Sequence, residues 1–495
     1  MHASSNLPSL RATVRLGGKG EDLFTQAPWW DVKFYPYATP GEDPVFAMVG
    51  AASTVICRCV SNEDNCIEIL HWFRDERVED EEGQCLNSIV WTRAENEDPI
   101  VCVAGSENSI NVLNARTGEW VKTLVGHGLG INDLAISPAD PTILVSCSFD
   151  KSVRIWSLDP AHAKQPTAAI CSPVLQRKEG VLALGMHRKG DYVFSGGIDT
   201  RINLWRIPKF RKEELGTDKP RQIHYPYFSS SEIHSNFIDC IQWHNDLIIS
   251  RASGECKILL WRIDNFNSDK EPPVSAPIPP SQTVQSQTPI VLPPKQRSGT
   301  LSAWGGRFQR LLQFELPESQ NFYIRFNPFS MPNIAPILAA GNHISQVFFW
   351  DLQHLEEVGG IKELSYRAEP NKKKSRKNTA GDSSSKAQAP TLIARAHRIR
   401  EDSVASSSTD TAAGWPVKAK RKDKTKREKR DGLVSTIGDS FRSLAAHKKI
   451  TVPKVEFTIR QVSWSRDGKW CIACGDYGMI AIFSGGQGDG LEVAT

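Results

Sequence analysis

Short apolar runs with alternating polar residues recur along most of this chain, and they come in pairs joined by polar turns. Residues 126–156, GHGLGINDLAISPADPTILVSCSFDKSVRIW, show the unit in full. The stretch carries a Gly-His pair (Gly126, His127), two apolar runs of β type, an Asp at a tight turn (Asp150) and a strand ending on Trp156. Alternation with period two reads as strand with one face covered, and the turn residues between runs read as hairpin connections. The ending returns along the chain. Asp199 and Trp205 each lie 49 residues after Asp150 and Trp156, Trp261 closes ISRASGECKILLW and Trp350 closes AAGNHISQVFFW. Three further copies lack the Trp: VGAASTVICRC (49–59), AGSENSINVL (104–113) and ACGDYGMIAIF (473–483).

One such unit cannot cover both faces of its own sheet, so the copies must stack on one another. Seven copies, one with a Gly-His start and four with Trp ends, predict an all-β, seven-bladed WD40 β-propeller. The polar members then have a structural job. The Asp150 carboxylate sits in a turn, His127 donates a ring proton to it, and a strand hydroxyl (Ser146 or Ser148) and the Trp156 indole N–H complete the chain. Such a network stabilises only when every member is paired.

The uneven spacing of the copies marks two insertions. Trp261 and Trp350 are 89 residues apart, where a blade needs about 40–45. The surplus is the Pro/Gln/Ser stretch from Glu271 to Thr300, poor in the N–H donors that a sheet requires. The expected order is an N-terminal arm (1–24), blades 1–5 (25–263), a Pro-rich linker (264–300), blade 6 (301–359), a basic insertion (360–452) and the last blade (453–495).

Charge separates the second insertion from the body. The net charge of +4 conceals 23 Lys/Arg against 10 Asp/Glu between Ile361 and Ile450, which leaves the rest of the chain acidic at −9. The basic residues cluster as Lys372, Lys373, Lys374, Arg376 and Lys377, and again as Lys420, Arg421, Lys422, Lys424, Lys426 and Arg427. This composition cannot bury enough apolar surface to fold alone. Three readings stay open for it: a solvated loop, a nuclear-import signal, or a sequence-independent, salt-sensitive contact with DNA or RNA.

Catalytic and cofactor motifs are missing. The chain has no phosphate-binding Gly-rich loop, no HExxH, no GxSxG and no paired CxxC, so an enzyme, a cofactor and a metal are not expected. Cys471 and Cys474 have redox-like spacing but fall on an expected strand, where core packing is the simpler reading. The acidic run 75–82, DERVEDEE, reads as a surface loop. With no run of 18 apolar residues, no N-terminal apolar segment and eleven cysteines mostly in strand runs, a reduced intracellular compartment and no membrane contact are expected.

Several loops go beyond general WD40 grammar. RQIHYPYFSSSEIHSNFIDCIQWHNDLIISRASGECKILLW (221–261) is the most specific, joined by GIDTRINLWRI, NFYIRF and IRQVSWSRDG in the same order around the ring. In these segments the chain resembles the ESC/EED family of WD40 subunits of Polycomb repressive complex 2. The resemblance implies a nuclear, non-catalytic scaffold that grips a SET-domain histone methyltransferase subunit, joins other Polycomb subunits and supports gene silencing. It also implies a reader of trimethyl-lysine on the histone H3 tail, through an aromatic cage at one mouth of the channel. The cage positions fall on Trp30, with Trp29 as a register alternative, and on Phe322 and Tyr323. A fourth position, a Tyr in the family, falls on Asn87, which has no aromatic face, and Arg460 matches a basic residue near the rim. Asn87 favours an alternative in which the propeller only scaffolds, and the basic insertion a second in which it is a nucleic-acid adaptor.

Overall fold

The computed structural model describes residues 7–17, 27–60, 66–79, 84–173, 179–279, 299–332, 334–353, 355 and 440–485. The chain divides into two compact units, 1–359 with 433–495 and 360–432, and every described residue belongs to the first. Both basic clusters therefore lie outside the described residues.

Seven sheets form the blades of a propeller. Blades 1, 2, 6 and 7 have four strands among the described residues, and blades 3, 4 and 5 have five. The blades begin at Asp31–Phe34, Leu86–Arg93, Ile131–Ile136, Val181–Met186, Ile238–His244, Phe326–Met331 and Ile459–Trp464. Each of these innermost strands touches those of both neighbouring blades, and the ring closes between Asp31–Phe34 and Ile459–Trp464. Second strands such as Tyr192–Gly197 and Trp470–Gly475 are buried throughout, because neighbouring blades cover both of their faces. Their sequences are accordingly continuous apolar runs rather than alternating ones. Trp156, Trp205, Trp261 and Trp350 are at most 1% exposed and fill the space between sheets. Cys471 and Cys474 are buried and unbridged, with their thiol pKa values pushed well up by burial.

Three boundaries differ from the sequence expectation. The arm at 1–24 contains strand Ser9–Arg15, which pairs antiparallel with Met479–Ser484 and supplies the outer strand of blade 7. Both ends of the chain thus share one sheet. Strand Phe308–Glu315, expected in blade 6, pairs with Lys257–Ile263 and completes blade 5. The stretch assigned to the basic insertion contains Lys448–Thr451, which pairs with Gln346–Asp351 as the outer strand of blade 6. It also contains Ser443–Leu444, which runs parallel to Phe308–Glu315. Similarly, Thr300–Ser302 at the end of the Pro-rich stretch pairs with Phe228–Ser230 of blade 4. The cause is common to all: outer strands are half exposed and weakly apolar, and several are reached only after a long loop.

The start of the acidic run also differs, while 80–82 lie outside the described residues. Asp75 is buried at the start of a short helix, Glu76–Glu79, and accepts bonds from Asn111 Nδ2 at 2.7 Å and Arg77 at 3.0 Å.

Candidate functional site: a pocket at one mouth of the ring

The polar chain of blade 3 is structural. His127 Nδ1 lies 2.8 Å from Asp150 Oδ2, its Nε2 lies 2.7 Å from Ser146 Oγ, and the Trp156 indole N–H donates to Ser146 Oγ at 2.7 Å. The carboxylate also accepts from Gly128 N and Ser152 Oγ. Ser148 is not in this chain. Its hydroxyl turns to the carbonyls of Leu129 and Gly130, both at 2.9 Å, because its side chain faces the adjoining loop. Burial lowers the His127 pKa and outweighs the raising effect of Asp150, so the ring is neutral. For Asp150, bonds from His127, Ser152 and Gly128 outweigh burial and hold its pKa far below the usual range. Blade 5 repeats the network with different residues: His234 meets Glu255 at 2.9 Å and Ser250 at 2.7 Å, and Trp261 donates to Ser250 at 2.9 Å. Sequence reading missed this copy because Glu replaces Asp.

The innermost strands carry a recurrent irregularity that builds a pocket. In blades 2, 3, 4, 5 and 7 the pairing register shifts across one residue near the strand start: Asn87, Asn132, Leu182, Asp239 and Arg460. A bulge of this kind re-aims its side chain out of the sheet alternation. Asn87, Asn132 and Arg460 all line one pocket of about 410 Å³. Trp30, just before the first strand of blade 1, lines it too; its N–H is bonded to the Val49 carbonyl at 2.8 Å. Asn321, Phe322 and Tyr323 come from the connection into blade 6, Phe149 from the turn beside Asp150, and Cys85 from the approach to blade 2. Five of the seven blades contribute, so the pocket straddles the ring axis. At Gly105 a Cβ would stand 2.0 Å from the Cys85 carbonyl oxygen, so only glycine lets this wall approach.

All five residues named from the resemblance thus share one pocket, whereas Trp29 is core. Trp29 is 5% exposed, and its indole N–H points to the Leu16 carbonyl at 3.3 Å. Tyr323 forms the inner wall at 5% exposure, and Phe322 is open at 36%. The Tyr323 ring meets Trp30 edge-on at 5.6 Å and Phe322 at 5.0 Å. Tyr323 holds a positive φ of 61°, unusual for a bulky residue. Its N–H donates to Asp239 at 3.1 Å, and its hydroxyl reaches across the ring to the Asn132 carbonyl. Burial raises the Tyr323 pKa, so the phenol stays neutral.

Beneath the aromatic pair lies a residue that the sequence reading passed over. Arg251, fully buried in blade 5, pairs with Asp239 and donates to the carbonyls of Ser319, Asn321 and Ile324, the last two at 3.0 and 2.9 Å. It therefore fixes the loop that presents Phe322 and Tyr323. The guanidinium in the lining, Arg460, pairs with Asp476 at 2.7 Å, and Arg325, behind the wall at 4.6 Å over the Tyr323 ring, pairs with Asp133 at 2.9 Å. Among the described residues the lining contains no carboxylate. Aromatic faces, three Asn amides, the Cys85 thiol and the paired Arg460 remain.

The WD domain, G-beta repeat model matches residues 118–157 and 440–484. Polycomb protein EED of Chaetomium thermophilum is 41% identical over 373 residues, or 72% of this chain. A chain of Chaetomium thermophilum Polycomb Repressive Complex 2 bound to GSK126 superposes with TM-score 0.74 at 31% identity, covering 97% of this chain and 98% of that one. The chain belongs to the ESC/EED family of Polycomb WD40 proteins. It spans 63% of the length of the Chaetomium EED relative. A second structure of this family's complex, ctPRC2 with H3K27me3 and H3K27M, matches with TM-score 0.73, 31% identity, and 97% and 98% coverage.

Proposed function

We propose that this propeller is a nuclear, non-catalytic subunit of a Polycomb-type histone H3 lysine methyltransferase complex. In this reading it scaffolds the SET-domain subunit and the other Polycomb subunits, and it reads trimethyl-lysine on the H3 tail to stimulate methylation and gene silencing. The observation that carries the reading is the single pocket in which Trp30, Phe322 and Tyr323 converge with no carboxylate among the described lining residues. A trimethylammonium group has no N–H to donate, so it is held by cation–π attraction and apolar contact with ring faces. Neutralisation of Arg325 by Asp133 and of Arg460 by Asp476 removes the repulsion a second cation would otherwise meet. Relay to the methyltransferase requires that tail binding favour its active arrangement by a differential free energy.

Titration of the full chain with trimethylated and unmodified H3 peptides tests the reading. Preferential binding of the methylated peptide, lost in Trp30→Ala and Phe322→Ala, is expected; equal binding of both peptides sinks it. Asn87 supports a second reading, a propeller that scaffolds without reading. That one predicts copurification with the SET-domain subunit and no methyl preference. DNA or RNA contact through the basic clusters rests on their charge alone.

A further inference from the structure

We infer that this pocket takes dimethyl-lysine at least as well as trimethyl-lysine: Asn87 accepts the one N–H that dimethyl-lysine keeps, and Phe149 supplies the aromatic face that Asn87 lacks. The inference rests on the methyl-lysine reading above and specifies it.

Asn87 occupies the bulge of the first strand of blade 2, in the pocket wall. Its side-chain oxygen is buried and has no hydrogen-bond donor among the described residues, so a half-turn of the amide breaks no bond and presents the oxygen to the pocket. A buried acceptor without a donor is unfavourable, and a ligand that donates to it gains more than one that cannot. Trimethyl-lysine cannot donate. Dimethyl-lysine carries one N–H on a cation, and a charge-assisted bond of that kind is among the stronger ones.

Phe149 lines the same pocket from blade 3 and is 41% exposed, although its backbone is fixed by a bond from its N–H to the Gly130 carbonyl. An exposed aromatic on a rigid turn contributes little to the core and is free to cover a ligand. Its place depends on Gly180, where a Cβ would stand 2.7 Å from the Phe149 ring and 3.0 Å from its Cα. With Phe149 the lining holds four aromatic residues, so loss of an aromatic at position 87 leaves the cation enclosed.

The test is titration of the full chain with otherwise identical H3 peptides carrying no, two or three methyl groups on the lysine. Dimethyl binding equal to or tighter than trimethyl binding is expected. Asn87→Leu, similar in size but without an acceptor, should weaken dimethyl binding about tenfold while leaving trimethyl binding unchanged or stronger. Phe149→Ala should weaken both about tenfold with no change in melting temperature, its side chain being largely outside the core. Trimethyl binding more than about twofold tighter than dimethyl in the unaltered chain overturns the inference. So does a dimethyl-to-trimethyl ratio that Asn87→Leu does not move, or a Phe149→Ala variant that binds both peptides normally. In those cases methyl-lysine reading itself stands. Failure of both methylated peptides to outbind the unmodified one overturns that reading and this inference with it.

Discussion

The guanidinium of Arg460 lies 4.6 Å over the indole ring of Trp30. The same group grips Asp476 through two bonds of 2.7 and 3.0 Å and donates to the Phe322 carbonyl at 2.9 Å. One side chain therefore orients two aromatic walls while its charge is cancelled by a neighbour. This is a different role from a basic residue on an open rim, which would repel the ligand proposed here.

Removing that side chain should blunt discrimination rather than merely weaken binding. In Arg460→Ala, Trp30 and the Phe322 backbone lose their anchor, and the Asp476 carboxylate is left to attract any lysine. The ratio of trimethyl to unmodified peptide affinity is expected to fall at least about threefold, with a steeper salt dependence. Arg460→Lys should not rescue it, because an ammonium cannot make the two parallel bonds to Asp476. Peptide titration at two salt concentrations measures both effects, and an unchanged ratio would falsify the anchoring role.

Arg251 and Asp239 couple the core to the pocket more deeply. Both side chains are fully buried, and burial raises the Asp239 pKa against the opposing pull of Arg251. Removing one partner of such a pair typically costs about 3–5 kcal/mol, because the other is left buried and unmatched. Arg251→Ala is therefore expected to lower unfolding stability by about that amount in denaturant titration and to abolish peptide selectivity, since the Ser319–Ile324 loop loses its clamp. The double variant Arg251→Ala/Asp239→Ala should regain part of the stability but none of the selectivity. Recovery of selectivity would show that the loop holds itself.

The blade repeat was legible because it is written in strand alternation, the Trp ends and the Gly126-His127 start. The blade 3 network was legible for the same reason, apart from the choice between Ser146 and Ser148, which depends on which way a hydroxyl turns. Trp30, Phe322 and Tyr323 came from the family resemblance, not from any periodicity. Phe149 was hidden by its neighbour: the turn reads as structural because of Asp150, and nothing local says that the preceding ring faces a pocket. Arg251 left a fainter trace. It is a charge inside the apolar run LIISRA, where a strand between two blades tolerates a cation only if a carboxylate meets it. The five bulges left none, since register is a property of pairing and not of one strand.

Buried neutral histidines set a pH limit on the fold. Burial lowers the pKa of His127, His187 and His234 below the ordinary 6.5, despite the opposing effects of Asp150, Asp246 and Glu255. Below pH 6.5 the unfolded chain therefore takes up protons that the folded chain refuses, and stability falls. The carboxylate partners act in the same direction at lower pH. Bonds from His234 and Ser235 outweigh burial and hold Glu255 at about 2, so its contribution is present above its ordinary 4.5 and is lost as pH falls toward 2. The melting temperature should be flat above pH 7 and decline from pH 6.5 to 5. His234→Gln should melt lower at pH 7 yet show a shallower decline. A decline as steep as in the unaltered chain would remove His234 from the account.

The strand at Lys448–Thr451 decides how the basic segment can be cut away. Leu444 is 2% exposed, and its carbonyl accepts the Trp350 indole N–H at 3.3 Å. Lys448–Thr451 covers the edge of Gln346–Asp351. A deletion of 361–439 spares both, so the propeller should melt at its usual temperature while any binding to DNA or RNA, and its salt dependence, disappears. Extending the deletion to 450 removes Ser443–Leu444 and most of the outer strand of blade 6, leaving a bare apolar sheet edge. The longer deletion is expected to lower Tm by more than about 5 °C and to promote association through that edge. Thermal melts and light scattering on the two deletions separate the outcomes. Nucleic-acid binding that survives the shorter deletion would place the contact on the propeller itself.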